Sequence, residues 1–221
     1  MILGSTGFIG KALHGRLVKD GHNVVGCSRE EGVDATQYQQ LENFIRQSDP
    51  DVIYNVASHG GSMRYVRKYA ADVISDNVQM ILNLYRAVNK LNPKIKIIQP
   101  FSNCSYPGDS SVQHEENWLT GDVHKSVFSF GNSKRTIFYV SKCYHDQYGI
   151  NTVNMIFPNT YGPGDSTDPN HTHALNGMII RMLKAQQDNA SDFVVWGTGS
   201  PIREWAYIDD FIDILVRCLD I

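Results

Sequence analysis

Seven residues near the start of the chain, Gly4-Ser5-Thr6-Gly7-Phe8-Ile9-Gly10, place glycines three and three apart between an apolar pair, Ile2-Leu3, and an amphipathic run. That spacing demands a strand turning sharply into a helix. The first glycine permits the turn, the second lets a ligand approach, and the third lets the helix pack close to the sheet. Free backbone amides at such a helix start can hydrogen-bond a pyrophosphate, and the helix dipole favours its charge. Gly4, Ser5, Thr6, Gly7, Phe8, Ile9 and Gly10 are therefore candidate dinucleotide contacts. A plain strand-to-helix turn would use the same glycines, so the rest of the chain must decide.

Downstream, short apolar runs alternate with helical periodicity, the signature of βαβ units. Ile9, Leu13 and Leu17 recur four apart, as on one face of a helix. Strands are predicted at Asn23–Cys27, Val52–Ala57, Ile95–Phe101 and Thr152–Phe157. Helices are predicted at Gln37–Arg46, Val73–Asn89 and Asn132–Tyr148. The right-handed crossover rule makes this an α/β fold with a Rossmann-like, doubly wound parallel sheet, ligands lying at the carboxyl ends of the strands. Residues 1–158 read as the dinucleotide-binding domain. From residue 159 to 204 the alternation loosens into a Gly/Asp/Pro/His-rich loop, a helix Ala174–Gln187 and a short strand Phe193–Trp196, read as part of a smaller substrate-binding lobe. Residues 205–221 bring a helix back to the core. The two-residue apolar start and the apolar run Phe211–Val216 at the end suggest a chain trimmed relative to a complete form.

A net charge of −3 leaves no basic footprint for nucleic acid, and no apolar stretch is long enough to span a bilayer. Cys27, Cys104, Cys143 and Cys218 lie far apart, which suggests neither a disulfide framework nor a zinc knuckle. No metal site is expected either, since His171 and His173 lack a third ligand at sensible spacing. Asn103, Asn170 and Asn189 open N-x-S/T triplets, but no secretory signal precedes them. A reduced, cytoplasmic protein is expected. Cofactor choice is read where the second strand ends, at Gly26-Cys27-Ser28-Arg29, with Glu30 and Glu31 only afterwards. An arginine there accommodates a 2′-phosphate, whereas a carboxylate would hold the ribose hydroxyls of NAD. Ser28 and Arg29 thus favour NADP(H), with NAD(H) the alternative if Arg29 is a solvated charge.

Several segments carry a family resemblance: Asn55-Val56-Ala57-Ser58, Ser102-Asn103-Cys104-Ser105-Tyr106-Pro107, Phe157-Pro158-Asn159-Thr160-Tyr161-Gly162-Pro163, and Val194-Val195-Trp196-Gly197 through Arg203-Glu204-Trp205 to Ile208-Asp209-Asp210. With the glycine loop they resemble, over essentially the whole chain, the extended short-chain dehydrogenase/reductases of the NAD-dependent epimerase/dehydratase family, and within it the GDP-L-fucose synthases. The resemblance implies an NADP(H)-dependent epimerase/reductase of a nucleotide-linked 4-keto-6-deoxy sugar, a GDP-sugar favoured, with a C3/C5 epimerase without net reduction or a non-catalytic nucleotide-binding protein as the alternatives. It adds Ala57, Phe101, Phe157, Asn159, Thr160 and His173 to the cofactor contacts. It also implies a homodimer packed through the Val73–Asn89 and Asn132–Tyr148 helices.

In that family a serine, a Tyr-x-x-x-Lys pair and the cofactor act together, the lysine lowering the phenol's pKa and holding the nicotinamide ribose. Ser102 fits the serine and Lys134 the lysine. Four residues before Lys134, however, stands Phe130, in Ser129-Phe130-Gly131-Asn132-Ser133-Lys134. Tyr139 before Lys142 and Tyr65 before Lys68 have a spacing of three, which the pair does not allow. Phe130 is either an engineered Tyr→Phe change that silences the enzyme or a natural divergence, and the enzyme-like Gly-Asn-Ser-Lys context favours the first. The resemblance further assigns Cys104 and His173 to epimerisation at the carbons flanking the ketone, where one removes a proton and the other returns one. Cys104 as a small core residue is the alternative. Arg181, Trp196 and Arg203 match positions that contact the nucleoside diphosphate, arginine being suited to grip phosphate. Gly60-Gly61-Ser62-Met63 would line the sugar pocket, while His124 and Lys125 match nothing.

Overall fold

The computed structural model describes residues 1–110, 112–168, 171–195, 197–200 and 202–221. Ile2–Leu3 forms β1, and the chain turns at Gly4, whose φ of 91° suits glycine, into α1 (Phe8–Lys19). Next come β2 (Gly26–Cys27), α2 (Tyr38–Ser48), β3 (Val52–Asn55), α3 (Met63–Lys68), α4 (Ala70–Leu91) and β4 (Lys96–Ser102). After a loop with three 3-10 turns, α5 (Phe128–Tyr148) runs to a left-handed cap at Gly149 and leads into β5 (Thr152–Phe157). The remainder is β6 (Asn159–Tyr161), α6 (Ala174–Gln187), β7 (Trp205–Tyr207) and α7 (Ile208–Arg217).

Five strands form one parallel sheet in the order β2-β1-β3-β4-β5, as the alternating pattern requires. One face carries α1 and α7, whose Leu13, Leu17, Phe211 and Leu215 join Ile2, Tyr54 and Ile98 in a core. The other carries α2, α4 and α5, where Leu41, Ile45, Ile81, Leu84 and Ile137 pack with Leu3, Ile53 and Ile97. Strand order reverses at β1, so the loops after β1 and β3 diverge and leave a crevice at their carboxyl ends. They also come very close: a Cβ on Gly4 would sit 2.7 Å from the Ala57 backbone nitrogen.

The second strand begins at Gly26 rather than Asn23, because β1 offers only two residues to pair with. The predicted strand Phe193–Trp196 is not found. Phe193–Val195 has no regular structure, and Val194 is 68% exposed without a neighbouring strand to pair with; Trp196 lies outside the described residues. A two-stranded parallel sheet forms instead between β6 and β7, joining Asn159–Tyr161 to Trp205–Tyr207. The α3 helix, unread in the sequence, starts with the Ser62 hydroxyl accepting from the Tyr65 amide at 3.3 Å.

Candidate active site

The glycine loop meets its steric requirements. A Cβ on Gly10 would fall 2.1 Å from the Gly4 carbonyl oxygen, so only glycine lets α1 pack there, whereas one on Gly7 would approach only that same oxygen, at 3.4 Å. Phe8 and Ile9 begin the helix, and Ser5 is buried. At the end of β2, Ser28 is buried and Arg29 is exposed. The chain then curls back, a feature that the linear order of residues hides. Glu31 returns to the glycine loop, its carboxylate accepting from the Ser5 hydroxyl and from the Ser28 hydroxyl at 2.9 Å. A carboxylate thus stands where the ribose end of a dinucleotide would lie.

Across the crevice, α5 brings Phe130 and Lys134 onto one face, one helical turn apart. Two features hold this helix against the turn that follows β4. Gly131 is so close that a Cβ would lie 2.6 Å from the Cys104 carbonyl oxygen. Arg135 donates to the carbonyls of Ser105 at 2.7 Å, Gly121 at 2.5 Å and Trp118 at 2.9 Å. The Trp118 indole in turn donates to the Ser105 hydroxyl at 2.7 Å. Nothing in the sequence marked Arg135 or Trp118, which act as the frame of the site.

Within that frame Lys134 is 5% exposed, donates to the Ser58 hydroxyl at 3.0 Å, and holds its ammonium 4.9 Å from the centre of the Phe130 ring. Burial pulls its pKa down to about 8, with nearby Cys104 acting in the other direction. Ser102 ends β4 and caps the Asn103–Ser105 turn, its hydroxyl accepting from the Cys104 amide at 3.4 Å. Burial pushes the Cys104 thiol up, while the Ser102 hydroxyl and the Lys134 charge pull it down. The structure therefore groups Ser102, Cys104, Phe130 and Lys134, and adds Ser58.

Other expected contacts are placed differently. The Phe101 side chain stacks on Trp118 and that of Phe157 packs on Phe211, so both rings belong to the core and only their backbones remain for a cofactor. Thr160 is buried in β6, and the Asn159 side chain donates to the Glu204 carbonyl at 3.3 Å, tying β6 to the approach to β7. Ala57 borders the glycine turn. His173 is the residue that opens α6, and its Nδ1 lies 3.4 Å from Oδ1 of Asp165, a carboxylate whose side chain is only 3% exposed. Arg181 lies over the Phe193 ring and donates to the Val194 carbonyl at 3.4 Å, whereas Arg203 is exposed. Gly60 faces the Phe130 ring edge, since a Cβ there would lie 3.0 Å from its Cε2. Among the described residues no helix is long and apolar enough to cross a membrane.

Comparison with known proteins bears on the family and the fold. A family profile described as the NAD dependent epimerase/dehydratase family matches residues 1–221. The probable GDP-L-fucose synthase 1 of Oryza sativa subsp. japonica is 29% identical over 220 residues, which are 99% of this chain and 67% of that protein. The GDP-L-fucose synthase of Escherichia coli (strain K12) is 25% identical over 221 residues, 100% of this chain and 68% of that one. A GDP-D-glycero-L-gluco-heptose synthase from Campylobacter jejuni, crystallised in the presence of NADPH, superposes with a TM-score of 0.85 at 23% identity, covering 99% of this chain and 73% of its own. At that identity the superposition shows the shared fold.

Proposed function

The chain belongs to the NAD dependent epimerase/dehydratase family, and on that premise we propose that it is an NADP(H)-dependent epimerase/reductase of a GDP-linked 4-keto-6-deoxy sugar. The observation that carries the reading is the buried Lys134, held by Ser58 beside residue 130 and next to the Ser102–Cys104 turn, across the sheet's crevice from the glycine loop. The relatives named above as GDP-L-fucose synthases supply the GDP-sugar class.

When bound, the dinucleotide supplies a hydride. The chain's own residues do the rest. Gly4 to Gly10 would hold the pyrophosphate at the start of α1. Lys134, with a pKa near 8, is charged at neutral pH and can hold the ribose while favouring proton transfer toward a sugar oxygen. Ser102 can hydrogen-bond that oxygen. Arg29 would meet a 2′-phosphate, for which Glu31 must leave Ser5 and Ser28; NAD(H) is the alternative if it stays. Glu31→Gln should therefore tighten NADPH binding more than NADH binding, as read by calorimetry.

Epimerisation would rest on Cys104 and His173. The ketone acidifies its neighbouring carbons, and a thiol and an imidazole can remove and return a proton on opposite faces. Arg181, Trp196 and Arg203 would hold the nucleoside diphosphate, and a homodimer would form through α4 and α5. Phe130 alters the reduction step, because its ring offers no proton while preserving the shape of the pocket. The test is Phe130→Tyr: this variant should oxidise NADPH in the presence of GDP-4-keto-6-deoxymannose. Absence of oxidation with both ligands bound would contradict the reading.

A second reading, epimerisation without net reduction, is favoured by the missing phenol. It requires solvent deuterium to enter the sugar beside the ketone while NADPH stays unconsumed.

A further inference from the structure

One buried charge has no role in the site described so far. The Asp165 side chain, between β6 and α6, is only 3% exposed, and no lysine or arginine among the described residues pairs with it. Its Oδ1 accepts from the Ser166 amide at 2.8 Å and lies 3.4 Å from His173 Nδ1. Its Oδ2 is buried and, among the described residues, has no hydrogen-bond partner. Enclosing a carboxylate on such terms costs stability unless a cation offsets it, and the neighbouring imidazole is the group that can carry one. Both flanks of the pair are tied together, since Asn176 in α6 donates to the Ser166 carbonyl at 2.8 Å and to the Thr172 hydroxyl at 3.3 Å. The His173 side chain is half exposed, and among the described residues nothing bonds its Nε2, so the nitrogen opposite the acid is open to a ligand. Two contacts set the pair beside the crevice. A Cβ on Gly164 would lie 3.8 Å from Cδ2 of Phe8, the first residue of α1, and the His171 ring centre is 5.1 Å from that of Tyr65 in α3. Asp165 and His173 are one and two residues from those contacts, and so stand by the segments after β1 and β3 that border the crevice.

We propose that Asp165 is a positioning residue for epimerisation, fixing His173 with a hydrogen on Nδ1 so that Nε2 works on the sugar carbon; this rests on the reading of His173 as an epimerase residue. An ionised carboxylate only accepts, so the nitrogen facing it must carry a hydrogen in either charge state of the ring. The proton exchanged with the sugar therefore sits on Nε2. In the direction in which His173 acts first, the Nε2 lone pair takes the proton from the carbon beside the ketone. The C–H pair becomes the C=C bond of an enolate, the C=O π pair moves to oxygen, and the imidazole becomes an imidazolium. The Cys104 thiol then protonates the other face of that carbon: the C=C π pair forms the new C–H bond, an oxygen lone pair re-forms C=O, and a thiolate remains. Solvent restores both groups. The charge that appears on the ring is offset by a carboxylate already in place, as in the Ser-His-Asp arrangement. The open Oδ2 leaves that carboxylate able to take the shorter, charge-assisted bond that an imidazolium makes. Eight positions separate acid and imidazole, so no motif spacing marks the pair.

Exchange is to be measured in deuterium oxide with GDP-4-keto-6-deoxymannose and NADP⁺, which supplies no hydride, for the parent protein, Asp165→Asn, His173→Gln and Asp165→Asn/His173→Gln. Asparagine keeps the shape of the side chain but can present an N–H to Nδ1, which favours the wrong tautomer. Asp165→Asn should lower kcat for deuterium entry beside the ketone by about 10²–10⁴-fold, with KM for the sugar nucleotide little changed. In the His173→Gln background the same change should cost no more than about twofold, because its partner is already gone. Formate added to Asp165→Ala should restore part of the rate, which a carboxylate that only braces the loop would not show. A parent and an Asp165→Asn variant of equal kcat would overturn the proposal. So would a loss as large in the His173→Gln background as in the parent; in both cases the epimerase reading stands. If the parent exchanges no deuterium, or His173→Gln exchanges as fast as the parent, the epimerase reading fails, and this proposal with it.

Discussion

The two halves of the chain support their functional residues in opposite ways. In the sheet domain the expected catalytic groups are held by core. Lys134 is enclosed, α5 is stapled to the turn after β4 by Arg135, and Gly10 and Gly131 admit no side chain. Between β6 and β7 the support is thin. No residue of α6 is fully buried, Phe193–Val195 forms no regular element, and Ile202 is 92% exposed. His173 and Arg181 sit on this thinner scaffold, the first tied to Asp165 and the second to Phe193 and Val194. On the proposed reading, the difference means that the hydride and proton chemistry would be preorganised by folding, whereas grip on the sugar nucleotide would depend on contacts that add little to stability.

That contrast can be broken or sharpened by substitution. The largest effect is expected at His173, where His173→Gln should slow solvent deuterium exchange into the sugar about 10²–10⁴-fold. Its melting temperature should stay near that of the parent; a fall of many degrees would give the lobe a structural weight denied to it above. Gly10→Val, in the sheet domain, should do the reverse and destabilise the fold by about 3 kcal/mol, because the added carbons meet the Gly4 backbone. Chemical denaturation reads this, and dinucleotide binding should be lost with it.

Lys134→Met should abolish reduction yet stabilise the protein by about 3.5 kcal/mol below pH 8, given that one unit of pKa shift is about 1.4 kcal/mol. The sign follows from burial. With its pKa pulled down to about 8 from the ordinary 10.5, the folded protein binds its proton more weakly than the unfolded chain does. The penalty is therefore complete below pH 8 and fades as pH rises toward 10.5, and the advantage of methionine should fade with it. A gain independent of pH would contradict this. Smallest of all, Ile202→Ser should change stability by no more than about 0.5 kcal/mol.

The same contrast governs what the sequence disclosed. Strand β5 and helix α6 fall where periodicity puts them, and the glycine loop is legible because only glycine fits Gly4 and Gly10. Ser102, Cys104 and Lys134 are legible through motif spacing along one strand end and one helix. What escaped depends on contacts between distant segments. The three-residue strands β6 and β7 exist only by pairing across 45 intervening positions, and the Val194-Val195 pair reads as a strand although no strand among the described residues pairs with it. Glu31 follows Arg29 in the sequence, and only the curl after β2 returns its carboxylate to Ser5. Phe101 and Phe157 are expected cofactor contacts by resemblance, and the direction of their side chains, into the core, is what the linear order does not show. Tyr65 stands three before Lys68, a spacing the family pair does not allow, and its hydroxyl meets His59 instead, a contact the linear order does not show.

Hydride transfer itself can be followed with NADPH carrying deuterium at the transferable nicotinamide position, incubated with GDP-4-keto-6-deoxymannose and a molar excess of the Phe130→Tyr variant, so that even a slow single turnover is seen. Mass spectrometry and proton spectra of the recovered sugar should show one deuterium at C4, where the ketone stood. A sugar recovered with its ketone intact, from protein shown to bind both ligands, would contradict the assignment as a reductase.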